Sequence, residues 1–440
     1  MKRRTRIVEP NTINIVLGFT ILVILYALLV LEIMHRTAAA LLAVSIVLIL
    51  DTFLRFSDFN ELVEGIDMNT ILLLMSMMMF VGILSRTGAF SYLASMILIK
   101  FHNKPFLLIT ILSSITALVS AFIDNVTTVL LMTPIVLEIM EKLKVDPRPI
   151  LLSIVFASNI GGTATLIGDP PNIIIGTRAG LGFMDFIRNL TPIVVIDFFA
   201  FLILIKVMFS KWINLYESRV RVIRNLQPSN RVDKYLLHRT LIILSVVIAL
   251  FLLEDFLEYP PAIPPLIGIG VLLLLLRNRI RIESLLEDVD WSTLVFFIAM
   301  FIVIKGVEDL GVMEFIAREI YSFSTDYMVL ILLILWVSAI VSAFVDNIPF
   351  VMAMVPVIAA MAKAATLNPI PLYWALSLGG CLGGNGTLVG ASANVVVAGI
   401  AERHGYTISF RSFIRYGMPV LMLTVGLASI YLVLRYVILG

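Results

Sequence analysis

The sequence predicts an all-α polytopic membrane protein made of two inverted repeats, each with about five transmembrane helices, one re-entrant hairpin and one broken helix. Three observations carry that prediction. The 440 residues are 60% hydrophobic and only 14% charged, with a mean hydropathy of +1.04, whereas soluble domains are roughly half apolar and a quarter charged. Apolar runs near the ~20 residues that cross a bilayer recur from end to end. Two unusual polar motifs also occur twice, at one common spacing.

"TINIVLGFTILVILYALLVLEI" opens the series. It is longer than a signal-peptide core and lacks a small-residue cleavage site, so it is expected to stay in place as the first helix. Spans near 12–34, 37–54 and 69–85 lead to a short amphipathic piece, "AFSYLASMILIKF". Two apolar arms on either side of Asp124 follow, then a span broken at "GGTATLIGDPPN" and a closing span ending near Lys211. The order repeats from about residue 240, where "GVMEFIAREIYSF" carries Glu314, Arg318 and Glu319 and is expected to lie along the interface. The implied organisation is a first repeat over 1–210, a basic connector over 211–239 and a second repeat over 240–440.

The repeat itself is read from two motif pairs. "SAFIDNVTTVLLMTPIV" begins at Ser120 and "SAFVDNIPFVMAMVPVI" at Ser342, an offset of 342 − 120 = 222. "GGTATLIGDPPN" begins at Gly161 and "GGNGTLVGASANV" at Gly383, again 222 apart. Asp124 thus pairs with Asp346, Asn125 with Asn347, Pro134 with Pro356, Thr165 with Thr387 and Asn172 with Asn394. An odd number of crossings per half inverts one repeat relative to the other.

Charge sets the sidedness, with one conflict. The connector holds seven Lys/Arg, and Arg277, Arg279, Arg281, Arg403, Arg411 and Arg415 fall on its side, while "EDFLE" and the loop from Asp51 to Asp67 fall opposite. The connector therefore reads as cytoplasmic. Inversion then places the N-terminus outside, although "MKRRTR" argues for inside; a spanning "AFSYLASMILIKF" in the first half alone would remove the conflict.

Non-helical backbone at membrane depth is tolerated only where protein shields it or where it lines a wet cavity. The glycines and prolines of the second motif predict such breaks, whose carbonyls suit cations and whose helix N-termini suit anions. Gly161, Gly162, Thr163, Thr165 and Asn172 in one half, with Gly383, Gly384, Asn385, Thr387, Ser392 and Asn394 in the other, are the candidate elements of one binding site. Asp124, Asn125 and Thr127 at one hairpin tip and Asp346 and Asn347 at the other join them. An intramembrane carboxylate is costly unless it faces a polar cavity, where it binds a cation or exchanges a proton, caps a helix, or forms half of a structural ion pair. Sodium, if it is the coupling ion, is expected at Asp124, Asn125, Asp346 and Asn347. Asp169 aligns with Ala391 and admits two readings, a site carboxylate or a cap for the helix that starts at Pro170. Lys305 is read as an interfacial partner of Glu308 and Asp309.

Other classes are disfavoured. A net charge of +2 offers little to nucleic acid, the single cysteine, Cys381, permits no internal disulfide, and no His/Cys cluster has metal-ligand spacing. His35, His102, His238 and His404 lie near helix ends or in loops, so no nucleophile and base pair suggests an enzyme. No phosphate-binding loop is present, so ATP drive would need a separate subunit, and none is expected. No cofactor is called for beyond a coupling H+ or Na+.

"SAFIDNVTTVLLMTP", "NIGGTATLIGDPPNIIIG" and "SAFVDN" resemble the ion transporter superfamily of arsenite permeases, sodium/proton antiporters, citrate and dicarboxylate transporters and the melanosomal P protein. The resemblance covers nearly the whole chain and is nearest to the P protein and arsenite permease branch. It implies a scaffold and a transport domain, a homodimer and elevator-type alternating access. The sodium-coupled dicarboxylate branch carries Ser-Asn-Thr at its hairpin tips; here stand Asp124-Asn125-Val126-Thr127 and Asp346-Asn347-Ile348-Pro349. Two added carboxylates repel a dianion unless they are protonated or cation-bound. The expected function is secondary active transport of a small anion or oxyanion, arsenite-like or carboxylate, coupled to H+ or Na+ in an inner or plasma membrane. A Na+/H+ antiporter is the alternative; a channel fits less well with two nearly closed, inverted motifs.

Overall fold

The computed structural model describes residues 12–31, 33–219 and 232–438; the "MKRRTR" charges and much of the connector lie outside them. Within these residues the chain is helical throughout, with no strand. The first half runs α1 (Thr12–Val30), α2 (Arg36–Leu54), α3 (Phe59–Glu64), α4 (Met68–Arg86), α5 (Ala89–Phe101), α6 (Pro105–Ser120), α7 (Asn125–Leu143), α8 (Arg148–Gly162), α9 (Pro170–Ala179), α10 (Phe183–Asn189), α11 (Thr191–Met208) and α12 (Ser210–Arg219). The second runs α13 (Lys234–Leu257), α14 (Ile263–Leu276), α15 (Ile282–Leu286), α16 (Trp291–Asp309), α17 (Val312–Phe323), α18 (Tyr327–Phe344), α19 (Asn347–Ala365), α20 (Ile370–Gly383), α21 (Ser392–Arg403) and α22 (Phe410–Val433).

Nine helices among the described residues are long and apolar enough to span a membrane. The helices of the two inverted repeats match in order: α4 with α16, α5 with α17, the hairpin α6–α7 with α18–α19, the broken pair α8/α9 with α20/α21, and α11 with α22. The matching reaches single backbone angles. Lys144 and Thr366, 222 residues apart, both adopt left-handed conformations where α7 and α19 end. At 13 residues, α5 is about 20 Å long, short of a ~30 Å hydrocarbon core. It packs along α6 and α7 as α17 packs along α19.

Two packing groups emerge. The peripheral group (α1, α2, α4, α13, α14, α16) carries exposed apolar faces on α1, α2, α13 and α14, with Phe53 80% and Phe256 81% accessible, while α4 and α16 are largely covered. Such faces are stable against lipid or another apolar protein surface rather than water. The central group is built on α8 and α20, buried along nearly their whole length. Each broken helix leans on the other half's hairpin, α9 on α19 and α21 on α7.

Glycine makes the central packing possible. A side-chain carbon on Gly161 would fall on the carbonyl of Ala117, and one on Gly383 would fall on that of Ala339, the position 222 residues later. α8 therefore touches α6 backbone to backbone, as α20 touches α18. Gly161→Ala and Gly383→Ala should each cost about 1–3 kcal/mol as overpacking, read as a lower thermal unfolding midpoint in detergent. Gly399→Ala, with no heavy atom within 4 Å of the added carbon, should not lower it.

Candidate functional site

Each hairpin ends in a sharp turn that starts a helix, and each break starts another. Four helix N-termini, those of α7, α9, α19 and α21, thereby open on one cavity of about 440 Å³. Asp124, Asn125, Thr127, Asp169, Asp346, Asn347 and Ser392 line it, joined by Arg36, Arg86, Asp288, Asp290 and Thr293 from the peripheral group. The cavity therefore lies where the central and peripheral groups meet.

The two tips carry the same dipeptide in different bonding. Asp124 caps α7 by accepting from the backbone N–H of Thr127 (2.9 Å) and from its hydroxyl (2.6 Å). Asp346 occupies the same position on α19 without a side-chain capping bond. The cause is covalent: Pro349 stands where Thr127 stands, and proline offers neither N–H nor hydroxyl. Asp346 Oδ2 instead accepts from Arg36 (3.0 Å) and from the Ser392 hydroxyl (3.1 Å). Arg36 also donates to Ser392 Oγ (2.9 Å) and to Thr293 Oγ1 (2.7 Å), and it lies 5.6 Å from the ring centre of Phe296. Asp346 Oδ1 is buried with no hydrogen-bond partner.

Asp169 sits at the N-cap position of α9 but makes no capping bond with its side chain. It is 1% exposed and accepts from Asn347 Nδ2 (3.5 Å), linking one half's break to the other half's tip.

The remaining expected residues lie behind the cavity wall and hold the breaks together. Thr165 and Thr387 donate to the carbonyls of Ala121 and Ala343. Asn172 Nδ2 reaches the carbonyls of Thr163 (3.1 Å) and Thr165 (2.9 Å), and Asn394 Nδ2 those of Gly384 (2.7 Å) and Thr387 (2.9 Å). Gly162 and Gly384 let the broken strand of chain pass close, against the carbonyls of Gly168 and Gly390. An amide chain then crosses the molecule: Asn125 donates to Asn159 (3.2 Å), which donates to Asn385 (3.0 Å) and Asn394 (3.1 Å). Among the described residues no group of three or more His, Cys, Asp or Glu is placed to hold a metal ion; a sodium ion here would need amide and carbonyl oxygens as well.

Sequence reasoning missed Arg36, Asp290 and Asn159. Arg36 stands at the start of an apolar span with no motif around it, and only its ion pair 310 residues away gives it a place. Asp290 caps α16 through Thr293; Asn159 lay inside a quoted motif. A further missed carboxylate, Asp197, lies buried in α11, outside the cavity. Lys305 does pair with Asp309 (2.5 Å), as read from the sequence.

The model of a family described as citrate transporter matches residues 26–379. The chain belongs to the citrate transporter family. It is a multi-pass membrane transporter, similar over 97% of its length to a 46 kDa membrane protein of Mycobacterium leprae (37% identical, all of that protein covered). An uncharacterized transporter of Mycobacterium tuberculosis is 38% identical over 96% of the chain and 99% of its own. The P protein of Mus musculus is 34% identical over 94% of the chain and 59% of its own length. Among solved structures, the YdaH transporter of Alcanivorax borkumensis superposes with a TM-score of 0.57, covering 85% of this chain and 87% of that one at 14% identity, a likeness of fold.

The amide clamps generate a stability test. Asn172→Ala and Asn394→Ala each strand two buried carbonyls, at a cost of about 1–3 kcal/mol per unsatisfied group. Both variants should unfold at lower temperature than wild type, whereas Asn347→Ala, at the cavity wall, should change unfolding less.

Proposed function

We propose that this transporter moves a small carboxylate or oxyanion together with H+ or Na+, by sliding its central group past its peripheral group in a cell membrane. The carrying observation is the charge balance of the shared cavity. Asp124, Asp169, Asp288, Asp290 and Asp346 face Arg36 and Arg86, and both arginines are ion-paired, Arg36 to Asp346 and Arg86 to Asp288. Four helix N-termini add about half a positive charge each. With all five carboxylates ionised, five negative charges against two formal and about two dipolar positive charges leave the site near −1, a balance that favours entry of a di- or trianion together with cations or protons. Coupling is then a consequence of electrostatics.

An elevator motion is supported by the position of the cavity between the two packing groups and by the hairpin tips, which we read as re-entrant. A homodimer would brace the peripheral group, as the family resemblance implies. A second reading, cation/proton exchange, is favoured by the unpartnered Asp346 Oδ1 and by the same negative balance.

Proteoliposomes with imposed proton or sodium gradients separate the two. Uptake of citrate, succinate, phosphate or arsenite that needs one gradient supports anion cotransport; gradient-driven sodium flux indifferent to all four supports exchange and ends the first reading. In Asp124→Asn, which keeps an oxygen for Thr127 but removes the charge, gradient-driven flux should fall at least about tenfold while the protein stays folded. Wild-type flux in that variant would remove Asp124 from the coupling path.

A further inference from the structure

We infer that Arg36 is the anion receptor and that Asp346 holds its place until the anion arrives, so that anion binding itself creates the coupling-cation site. This rests on the cotransport reading above.

Four observations carry it. Arg36 belongs to α2 of the peripheral group, whereas Asp346 and Ser392 belong to the central group, so the pair bridges the surfaces that must move past one another. Its contacts with Asp346, Ser392 and Thr293 are single-point, made by two nitrogens. A guanidinium prefers a two-point fork with a carboxylate or phosphate, and Asp346 supplies only Oδ2 while Oδ1 stays buried without a partner. The other basic residue of the cavity, Arg86, is already engaged: Nε (3.0 Å) and NH2 (2.7 Å) both reach Asp288 Oδ2, and Ser284 takes NH1. Finally, Pro349 denies Asp346 the cap that Thr127 gives Asp124, which is why the second tip, and not the first, is the one tied to an arginine.

Exchange of partners follows. An incoming carboxylate takes the fork of Arg36, held against Phe296 and Thr293, beside the N-termini of α19 and α21. Asp346 loses its counter-charge and stands with two oxygens in a cavity that also holds Asp124, Asp169, Asp288 and Asp290, with Arg86 across the cavity and His35 one residue before Arg36. It then takes a proton or a sodium ion. Anion and cation binding become mutually required, a reciprocal coupling, and the bridge between the two groups is released only by the loaded site.

Calorimetric titration of purified protein with citrate, succinate and phosphate, with and without sodium and at two pH values, tests this. Wild type should bind at least one anion, more tightly with the coupling cation. Arg36→Gln should weaken that binding at least tenfold, and Arg36→Lys, lacking the fork, should not restore it. Asp346→Asn should bind the anion more tightly and with no dependence on sodium or pH, and should still exchange anion across vesicles. Pro349→Thr, which offers Asp346 a cap and leaves both charged residues in place, should also tighten anion binding. The Arg36→Gln/Asp346→Asn double variant leaves no unpaired charge and should stay folded without binding the anion, keeping misfolding apart from lost recognition. Weaker anion binding in Asp346→Asn, or unchanged binding in Arg36→Gln, overturns the inference alone. No anion binding by wild type alongside active sodium flux overturns the cotransport reading beneath it.

Discussion

The rest of the structure depends on satisfying unwound backbone inside a membrane. Two helices stop at the middle of the molecule and restart after a stretch without helical bonding, where no lipid can replace the missing partners. Each break is closed in the same way. A serine from the hairpin reaches the ending helix, Ser120 to the carbonyl of Ser158 and Ser342 to that of Gly380. A threonine ties the break back to the hairpin, and an asparagine gathers two of its carbonyls. Because both sets obey one 222-residue offset, the two breaks meet symmetrically and their helix N-termini converge on one cavity.

Chemistry enters where that symmetry fails. At equivalent positions of the two repeats, Thr127 corresponds to Pro349, Asp169 to Ala391, Pro170 to Ser392, and Asn159 to Cys381. The first substitution decides whether a tip aspartate caps its own helix or turns outward. The last gives the amide network its direction: Asn159 donates to Asn394, while the Cys381 thiol makes a longer contact (3.6 Å) to Asn172. A symmetric frame thus carries an asymmetric site, with a capped carboxylate on one side and an arginine-paired one on the other.

The placement of charge also ties binding to movement. Arg36 stands on α2, which carries an exposed apolar face, and Asp290 and Thr293 stand at the start of α16, which packs against α2, whereas the tips and breaks begin helices of the central group. Polar contacts cross that boundary where Arg36 meets Asp346 and Ser392, where Tyr26 donates to the carbonyl of Pro349, where Thr70 meets Thr177 and where Arg178 donates to the carbonyl of Gly65. Apolar surfaces slide with little directional preference, so a single ion pair at the boundary has more influence on relative position than its share of the contact area.

Much of the fold was legible from sequence because it follows from local rules. The spans near 12–34, 37–54 and 69–85 appear as Thr12–Val30, Arg36–Leu54 and Met68–Arg86, since apolar length alone fixes a helix in a bilayer. The helix breaks and hairpin tips were visible through glycine, proline and an aspartate repeated at one offset. Sequence left Asp169 between a cap and a site residue; in the structure its side chain makes no cap and meets Asn347 from the other half. Arg36 carried no local signal at all, because a basic residue beside a span is ordinary interfacial chemistry until folding brings it to Asp346. Local pattern determined which residues are helical and where helices break. Only the tertiary structure decided which carboxylate meets which arginine, because Coulomb and hydrogen-bond energies depend on distances between segments hundreds of residues apart, and sequence order does not contain those distances.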